Sequence, residues 1–510
     1  MALVERVEPT PGARRRLRLS SPATLAFLEE LEVDGAEQVH AAVERARKAQ
    51  GEWAERGFAE RGRVLQRALR VLLSREREFV ERIVAETGKP AGEVLATEIL
   101  TLCDSLQFYA KRARHILRER SVPLHLLKTK RLRIAHRPLG VVGIITPWNF
   151  PFLLAANPTV QALVAGNAVV LKPSEATPDS GRLVVELFEE AGLPEGLLQV
   201  VQGDGETGAA LVEAGVDKIC FTGSVETGRR VAERCGRQLV PCTLELGGKD
   251  PMIVLEDADL DRAARAAVYG AFSNAGQVCT STERVYVVDA VADTFTRKVL
   301  EETASLRQGA EGEFDVGPMI RAEQIEVVEV HVRDALERGA RLLAGGRRNP
   351  EQEGLFWEPT VLDDVSHEMR VMREETFGPV LPIMRVRDAD EALAWANDSH
   401  YGLNANVWTR QKRRGAALAG SVESGCAVVN DCMITYGVAE APFGGVKQSG
   451  LGRVNGEQGL LAMCHTQSIV IDRFGGRREL LWFPHSTRKV RWMRRAMRAL
   501  WGTSLGRWLA

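Results

Sequence analysis

The sequence predicts an α/β protein whose central part is a doubly wound, largely parallel sheet, and three observations carry this. Short apolar runs, each the length of a buried strand, end in glycine or proline turns at GVVGIITPWNFP, NAVVLKPSEATP, LLQVVQGDG and KICFTGSVETG. Helix-like segments such as SGRLVVELFEEAG separate them, and strand alternating with helix marks a parallel sheet covered on both faces. A second series of the same kind runs from Pro251 to about Asn430 and includes DRAARAAVYGAF, VRDALERGARLLAGG and ADEALAWANDS.

Ahead of the first series, from Ala36 to about Lys89, apolar residues recur at three- and four-residue steps: Val39, Ala42, Val43 and Ala46, then Leu65, Leu69 and Leu72. That period predicts helices with a charged outer face. The basic stretch from Lys128 to Arg137 marks the change to strands. At 510 residues the chain exceeds one compact core, so two or three domains are expected. With 45% hydrophobic and 26% charged residues and a formal net charge of -1, no overall bias toward nucleic acid exists, and none is expected as a partner. The 8 cysteines form neither CxxC pairs nor a dense framework, which fits a reducing, cytoplasmic compartment. The first residues carry an arginine cluster without an apolar stretch behind it, and Glu5 and Glu8 argue against a transit peptide. No run of about 18 apolar residues offers a membrane span.

Within FSNAGQVCTSTERVYV, residues 272–287, Cys279 follows Gly276 and Gln277 and precedes Thr280 and Ser281. A structural cysteine more often sits inside an apolar run, so the polar setting points to a reactive thiol. In an open parallel sheet ligands bind beyond the carboxyl ends of strands. There the sequence places Pro147-Trp148-Asn149-Phe150-Pro151, Lys172-Pro173-Ser174-Glu175 and Gly223-Ser224-Val225-Glu226-Thr227-Gly228. Each turn alone is ordinary. Together they suggest a nucleotide site, with a glycine-bounded helix N-terminus for a pyrophosphate and an ammonium and a carboxylate for ribose hydroxyls.

PWNFP, KPSE, FTGSVETG, LELGGKDP, GQVC, EETFGPV and PFGGVKQSG, in this order, resemble the NAD(P)-dependent aldehyde dehydrogenase superfamily from about Asp34 to about Arg473. The resemblance implies an aldehyde dehydrogenase-like fold: an NAD-binding domain at 1–119 and 138–246, a catalytic domain at 247–435, an oligomerisation flap at 120–137 and 460–475, and a tail at 476–510. It makes Cys279 the nucleophile, Glu245 the general base and Asn149, with the backbone N–H of Cys279, the oxyanion hole. It assigns the adenosine ribose to Lys172 and Glu175, the pyrophosphate turn to Gly223 through Gly228, and the nicotinamide side to Glu375 and Phe377. Thr146, Pro147, Trp148, Ser174, Gly205, Phe221, Thr222, Ser224 and Leu246 complete the implied cofactor site, and no metal is called for. The Glu175 carboxylate favours NAD by repelling a 2′-phosphate, while Lys172, whose ammonium tolerates one, keeps NADP open. A homodimer or homotetramer is implied.

Relatives that oxidise succinic semialdehyde read its carboxylate with two arginines, at positions that here hold Asn157 and Ser273. Phe152, Leu153 and Leu154 nearby suggest a tunnel for an uncharged chain, so a medium- or long-chain aliphatic aldehyde is expected, with a semialdehyde as the alternative. Val454 stands where several relatives carry a proton-relay glutamate, which leaves proton transfer to Glu245. The presence of that glutamate favours hydrolysis of the thioester to the free acid. A catalytically silent protein on this fold and a non-enzymatic NAD-binding module remain the readings from other classes, although neither needs Asn149, Cys279 and Glu245 together.

Beyond Arg473 the chain is basic and rich in tryptophan, with Trp482, Trp492, Trp501 and Trp508 among its 9 tryptophans. A helix from about Arg488 to Trp501 would gather Val490, Met493, Met497, Leu500 and Trp501 on one arc and Arg491, Arg494, Arg495 and Arg498 on the other. Two outcomes are open for it. Either the apolar arc packs on the protein body, as a lid like the C-terminal helix of fatty aldehyde dehydrogenases or as a subunit contact, or it lies on an anionic membrane surface.

Overall fold

The computed structural model describes residues 3–7, 14–479 and 481–502. Three helices, Ala36–Glu55, Phe58–Ser74 and Glu76–Thr87, occupy the helical stretch and bury Val39, Ala42, Val43, Ala46, Leu65 and Leu72. They share one hydrophobic core with a six-stranded sheet. In that sheet the strands stand in the order Gly450–Leu451, Cys242–Glu245, Lys218–Thr222, Val141–Ile145, Ala168–Lys172, Leu198–Val200, and only the Gly450 edge strand runs antiparallel. Every residue of Val141–Ile145 and Ala168–Lys172 is buried, as a parallel strand covered on both faces requires.

The strand order reverses beside Val141–Ile145. The chain moves to one side through helix Pro151–Ala165 into Ala168–Lys172, whereas Lys218–Thr222 lies on the other side. A crevice therefore opens beyond the carboxyl ends of Val141–Ile145 and Lys218–Thr222, where PWNFP and FTGSVETG emerge.

A seven-stranded sheet builds the second core, in the order Arg341–Ala344, Thr360–Asp363, Val380–Val386, Thr282–Val288, Asp250–Val254, Asn406–Trp408, Val428–Val429. The short link Leu246–Lys249 joins the last residue of Cys242–Glu245 to the first of Asp250–Val254. A separate three-stranded antiparallel sheet combines Arg120–Val122, Lys130–Pro138 and Cys464–Asp472, with Cys464 opposite Pro138 and Asp472 opposite Lys130. The sequence reading named no strands before Ala36. Among the described residues there the structure has three, Val4–Val7, Arg16–Ser20 and Phe27–Glu32, closed over Leu17, Leu19, Leu31 and Val33. The alternation in RLRLS, arginines out and leucines in, is the signal for them.

Candidate active site

A cleft of about 730 Å³ opens at the crevice between the two large sheets. Of the residues expected from the sequence, Thr146, Pro147, Trp148, Asn149, Lys172, Ser174, Glu175, Gly205, Phe221, Thr222, Gly223, Ser224, Glu245, Leu246, Cys279, Glu375 and Phe377 line it. Gly228 does not. A Cβ there would stand 2.5 Å from the Leu246 side chain, so this glycine lets helix Val225–Gln238 lie against the link that follows strand Cys242–Glu245.

The loop carrying Cys279 is held from several sides. Asn274, Ala275 and Gly276 all take positive φ, at 49°, 52° and 73°. At Gly276 a Cβ would come within 2.1 Å of Gly378 O, so only glycine fits both the conformation and the space. Gln277 donates to Asn274 O and Pro318 O and accepts from Ile320 N–H at 2.8 Å. Asn149 Nδ2 donates to Gln277 O at 3.0 Å, and Asn274 Nδ2 donates to Asn149 O at 2.9 Å. PWNFP and GQVC, 128 residues apart between Asn149 and Gln277, are thereby one hydrogen-bonded unit.

Helix Pro151–Ala165 fixes the PWNFP turn in its turn. Buried Glu98 accepts the N–H groups of Phe152 (2.9 Å) and Leu153 (3.1 Å) at that helix N-terminus, and its other oxygen accepts from Lys89 Nζ at 2.8 Å. The expectation of a Phe152–Leu154 tunnel needs correction. Only Leu154 lines the cleft, while Phe152 packs edge-on against Phe79 and joins Leu153 in the first core. Neighbouring helix residues point about 100° apart, so three in a row do not share one wall. Beside Cys279 the apolar surface comes instead from Leu403, Phe443 and Val454. Asn157 bonds Ser105, Tyr436 and Asn455, and Ser273 Oγ donates to Glu93 at 2.8 Å.

Electrostatics at the cleft favour neutral resting forms. Burial, then the nearby carboxylates of Asp250, Glu375 and Glu245, push the Cys279 thiol up. Burial also pushes Glu245 well above the carboxylate range, against a smaller opposing pull from Arg453. Neither carboxyl oxygen of Glu245 has a hydrogen-bond partner, and Asn149 Oδ1 is likewise unpaired. At Gly444 a Cβ would stand 2.9 Å from Glu245 Oε1, so the glycine of PFGG keeps that oxygen uncrowded.

The far wall is Glu375 and Phe377. Glu375 Oε1 accepts from Gly248 N–H at 3.0 Å, and burial, then the Glu283 charge, raises Glu375 to about 8. The Phe377 ring meets the Trp148 ring edge-on at 5.5 Å. Sequence reading missed what supports this wall. Glu283 takes the N–H groups of Thr376 (2.8 Å) and Phe377 (2.9 Å) while pairing with Lys249 Nζ at 2.5 Å, and both charged side chains are almost fully buried. It also missed Arg321, whose guanidinium lies 3.4 Å from Glu175 Oε1 while Lys172 Nζ lies 3.5 Å from Oε2. Arg230 and Arg234 line the cleft too. Their spacing with Thr227, at three and four residues along one helix face, was a readable signal.

The arrangement offers a partly exposed thiol, amide donors and an unpartnered carboxyl at one end. The other end holds a helix N-terminus capped by Ser224, whose Oγ accepts from Thr227 N–H, beside a lysine–glutamate–arginine cluster. These donors fit a dinucleotide. The aldehyde dehydrogenase family model matches residues 10–469. A 4,4'-diapolycopene aldehyde oxidase of Methylomonas sp is 45% identical over 444 residues, 87% of this chain and 83% of that protein. A Mycolicibacterium smegmatis protein bearing the provisional name succinate-semialdehyde dehydrogenase, NADP(+), is 44% identical over 466 residues, 90% of each. The Mycobacterium tuberculosis aldehyde dehydrogenase solved with NAD+ superposes with a TM-score of 0.86 at 35% identity, covering 90% of this chain and 95% of that one. The chain belongs to the aldehyde dehydrogenase family.

Proposed function

We propose that this enzyme oxidises an uncharged, medium- or long-chain aliphatic aldehyde to its carboxylate with NAD or NADP as oxidant. One observation carries the reading: Cys279, Asn149 and Glu245 share one cleft, and both Glu245 oxygens are buried without partners. Lys172 and Glu175 would hold the adenosine ribose, the turn at Ser224 the pyrophosphate, and Glu375 and Phe377 the nicotinamide side. When bound, the nicotinamide supplies the hydride acceptor.

Cys279 Sγ, once deprotonated, forms a bond to the aldehyde carbon and turns its oxygen into an oxyanion. One N–H of the Asn149 amide is committed to Gln277 O. The second, with the Cys279 backbone N–H, is the donor pair for that oxyanion. Loss of hydride from the same carbon leaves a thioester on Sγ. Glu245, once it has released its own proton, takes one from water; the hydroxide adds to the thioester carbon, and the C–S bond breaks to release the acid and the Cys279 thiolate. Val454 is buried against Leu403 and Phe443, so proton removal rests on Glu245.

The substrate class rests on Asn157 and Ser273, which are neutral and engaged by neighbours, and on the apolar Leu403, Phe443 and Val454 around the thiol. A semialdehyde is the second reading, favoured by the names of the mycobacterial relatives. We assign cofactor binding to 1–119 and 138–246, catalysis to 247–435, and subunit contact in a homodimer or homotetramer to the sheet formed within 120–137 and 460–475. The setting is cytoplasmic and, through the segment after Arg473, peripheral to a membrane. NADH release by the purified protein, measured across aliphatic aldehydes of increasing length, aromatic aldehydes and succinic semialdehyde, tests the reading. A specificity constant that rises with chain length is expected. The highest value for succinic semialdehyde would replace it with the second reading.

A further inference from the structure

Past the flap strand Cys464–Asp472 the chain exposes Phe474, Leu481, Trp482 and Phe483, and then enters helix Thr487–Trp501, capped by Ser486 Oγ on Lys489 N–H at 3.2 Å. No residue of this helix is buried. It carries six cations, Arg488, Lys489, Arg491, Arg494, Arg495 and Arg498, and no acid, in a chain whose formal net charge is -1.

The faces of the helix are sharply divided. At about 100° per residue, the five arginines fall within an arc of roughly 120°. The remaining arc runs from Trp492 through Ala496, Leu500, Met493, Met497 and Val490 to Trp501. The two tryptophans are the border residues, roughly 180° apart, each next to an arginine. Lys489 lies inside the apolar arc but is turned back to donate to Trp482 O. At its base the segment is tied to the flap: Arg473 N–H donates to Thr129 O at 3.0 Å, and Lys130 pairs with Asp472 and Glu479. The loop that makes these bonds also exposes Leu126 and Leu127.

We propose that helix Thr487–Trp501 is a docking surface for anionic phospholipid. Indole rings at the border of an apolar and a basic face match the depth order of a bilayer interface, with alkyl groups below, indoles at the boundary and guanidiniums among the phosphates. Nucleic acid would use the cations and leave a half-cylinder of apolar surface uncovered. A second copy pairing apolar face to apolar face would turn both arginine rows outward and leave those cations without a role. Among the described residues no helix is long and apolar enough to cross a membrane, so the segment lies on the surface. Resting on the proposed substrate class, the docking would place the cleft where apolar aldehydes concentrate.

The test uses the full chain and vesicles of phosphatidylcholine with or without phosphatidylglycerol, read by co-sedimentation and by tryptophan emission. Propanal oxidation in buffer, followed in parallel, reports separately on the enzymatic reading. Binding is expected only with phosphatidylglycerol, and it should weaken as salt rises. R491E/R494E/R498E should weaken it at least about 100-fold, with propanal turnover within about twofold of the parent. W492A/W501A should lose the blue shift of emission. Equal binding by the parent and the charge-reversed variant overturns the proposal, as does no binding by the parent. A smaller oligomer for W492A/W501A overturns it by giving the face to a second copy, and tighter binding to duplex DNA than to anionic vesicles overturns it in favour of nucleic acid.

Discussion

Three glutamates are buried around the cleft, and two of them are treated differently from the third. Glu98 beneath the PWNFP turn and Glu283 beneath the EETFG loop each combine a lysine ammonium with two backbone N–H groups. Glu245 has no hydrogen bond on either oxygen. Burying an ionised carboxyl is costly unless partners compensate, so the first two are ion-paired braces, while burial pushes the third toward its neutral form. The difference separates a carboxylate that holds a loop from a carboxyl with no fixed partner, which can give up its own proton and then take one from water during the reaction.

The largest effect should come from Cys279→Ala, which removes the atom that bonds to substrate. NADH formation should fall by at least about 10⁴-fold while circular dichroism and cofactor binding stay near the parent's, because nothing replaces the covalent step. Residual turnover within tenfold of the parent would sink the assignment. Next, Glu245→Gln should slow the steady state by about 10²- to 10⁴-fold and keep a burst of about one NADH per site, since water addition needs the base and hydride loss does not. A missing burst would show that Glu245 also prepares the Cys279 thiol.

Glu283→Ala breaks a brace and sharpens the comparison from the other side. It strands Lys249 as an unpaired buried charge, at a cost of about 3–5 kcal/mol read as a lower urea midpoint. Glu245→Gln should behave in the opposite sense. A carboxyl whose folded-state pKa is raised gives most stability at low pH and loses it as pH climbs from its unfolded value toward the folded one. The glutamine variant should therefore melt above the parent at alkaline pH, with the gap closing as pH falls toward the ordinary carboxylate range. A gap of constant size across pH would mean that Glu245 is not buried as an acid.

How much of this was legible follows from where the groups sit along the chain. Asn149, Glu175 and Ser224 stand shortly after buried strands, Lys172 ends one, and Cys279 lies in a polar turn shortly before one, so local strings display them. Lys249 and Glu283 are 34 residues apart, and Thr376 lies far beyond both, so their meeting depends on neighbouring strands of the second sheet and no short string shows it. Arg321 is hidden for the same reason, being 146 residues from Glu175. Phe152 and Leu153 read as tunnel residues only if neighbours in sequence share a direction, which a helix does not give. The first sheet went unread although RLRLS alternates cleanly.

The smallest effect concerns cofactor choice, where the structure adds Arg321 to the sequence reading. Glu175 alone would repel a 2′-phosphate, yet Lys172 and Arg321 both lie within 3.5 Å of its oxygens. One carboxylate between two cations leaves the cluster net positive, and that weakens the repulsion. Glu175→Ser removes the negative charge and frees both cations, so relative use of NADP over NAD should rise about 5- to 50-fold. Arg321→Ala should shift the ratio the other way by a smaller factor, because this guanidinium is partly exposed and screened by salt. Specificity constants for both cofactors, measured at two ionic strengths, decide the matter. If neither variant moves the ratio, a group outside this cluster reads the ribose; if only Glu175→Ser moves it, Lys172 alone receives the phosphate.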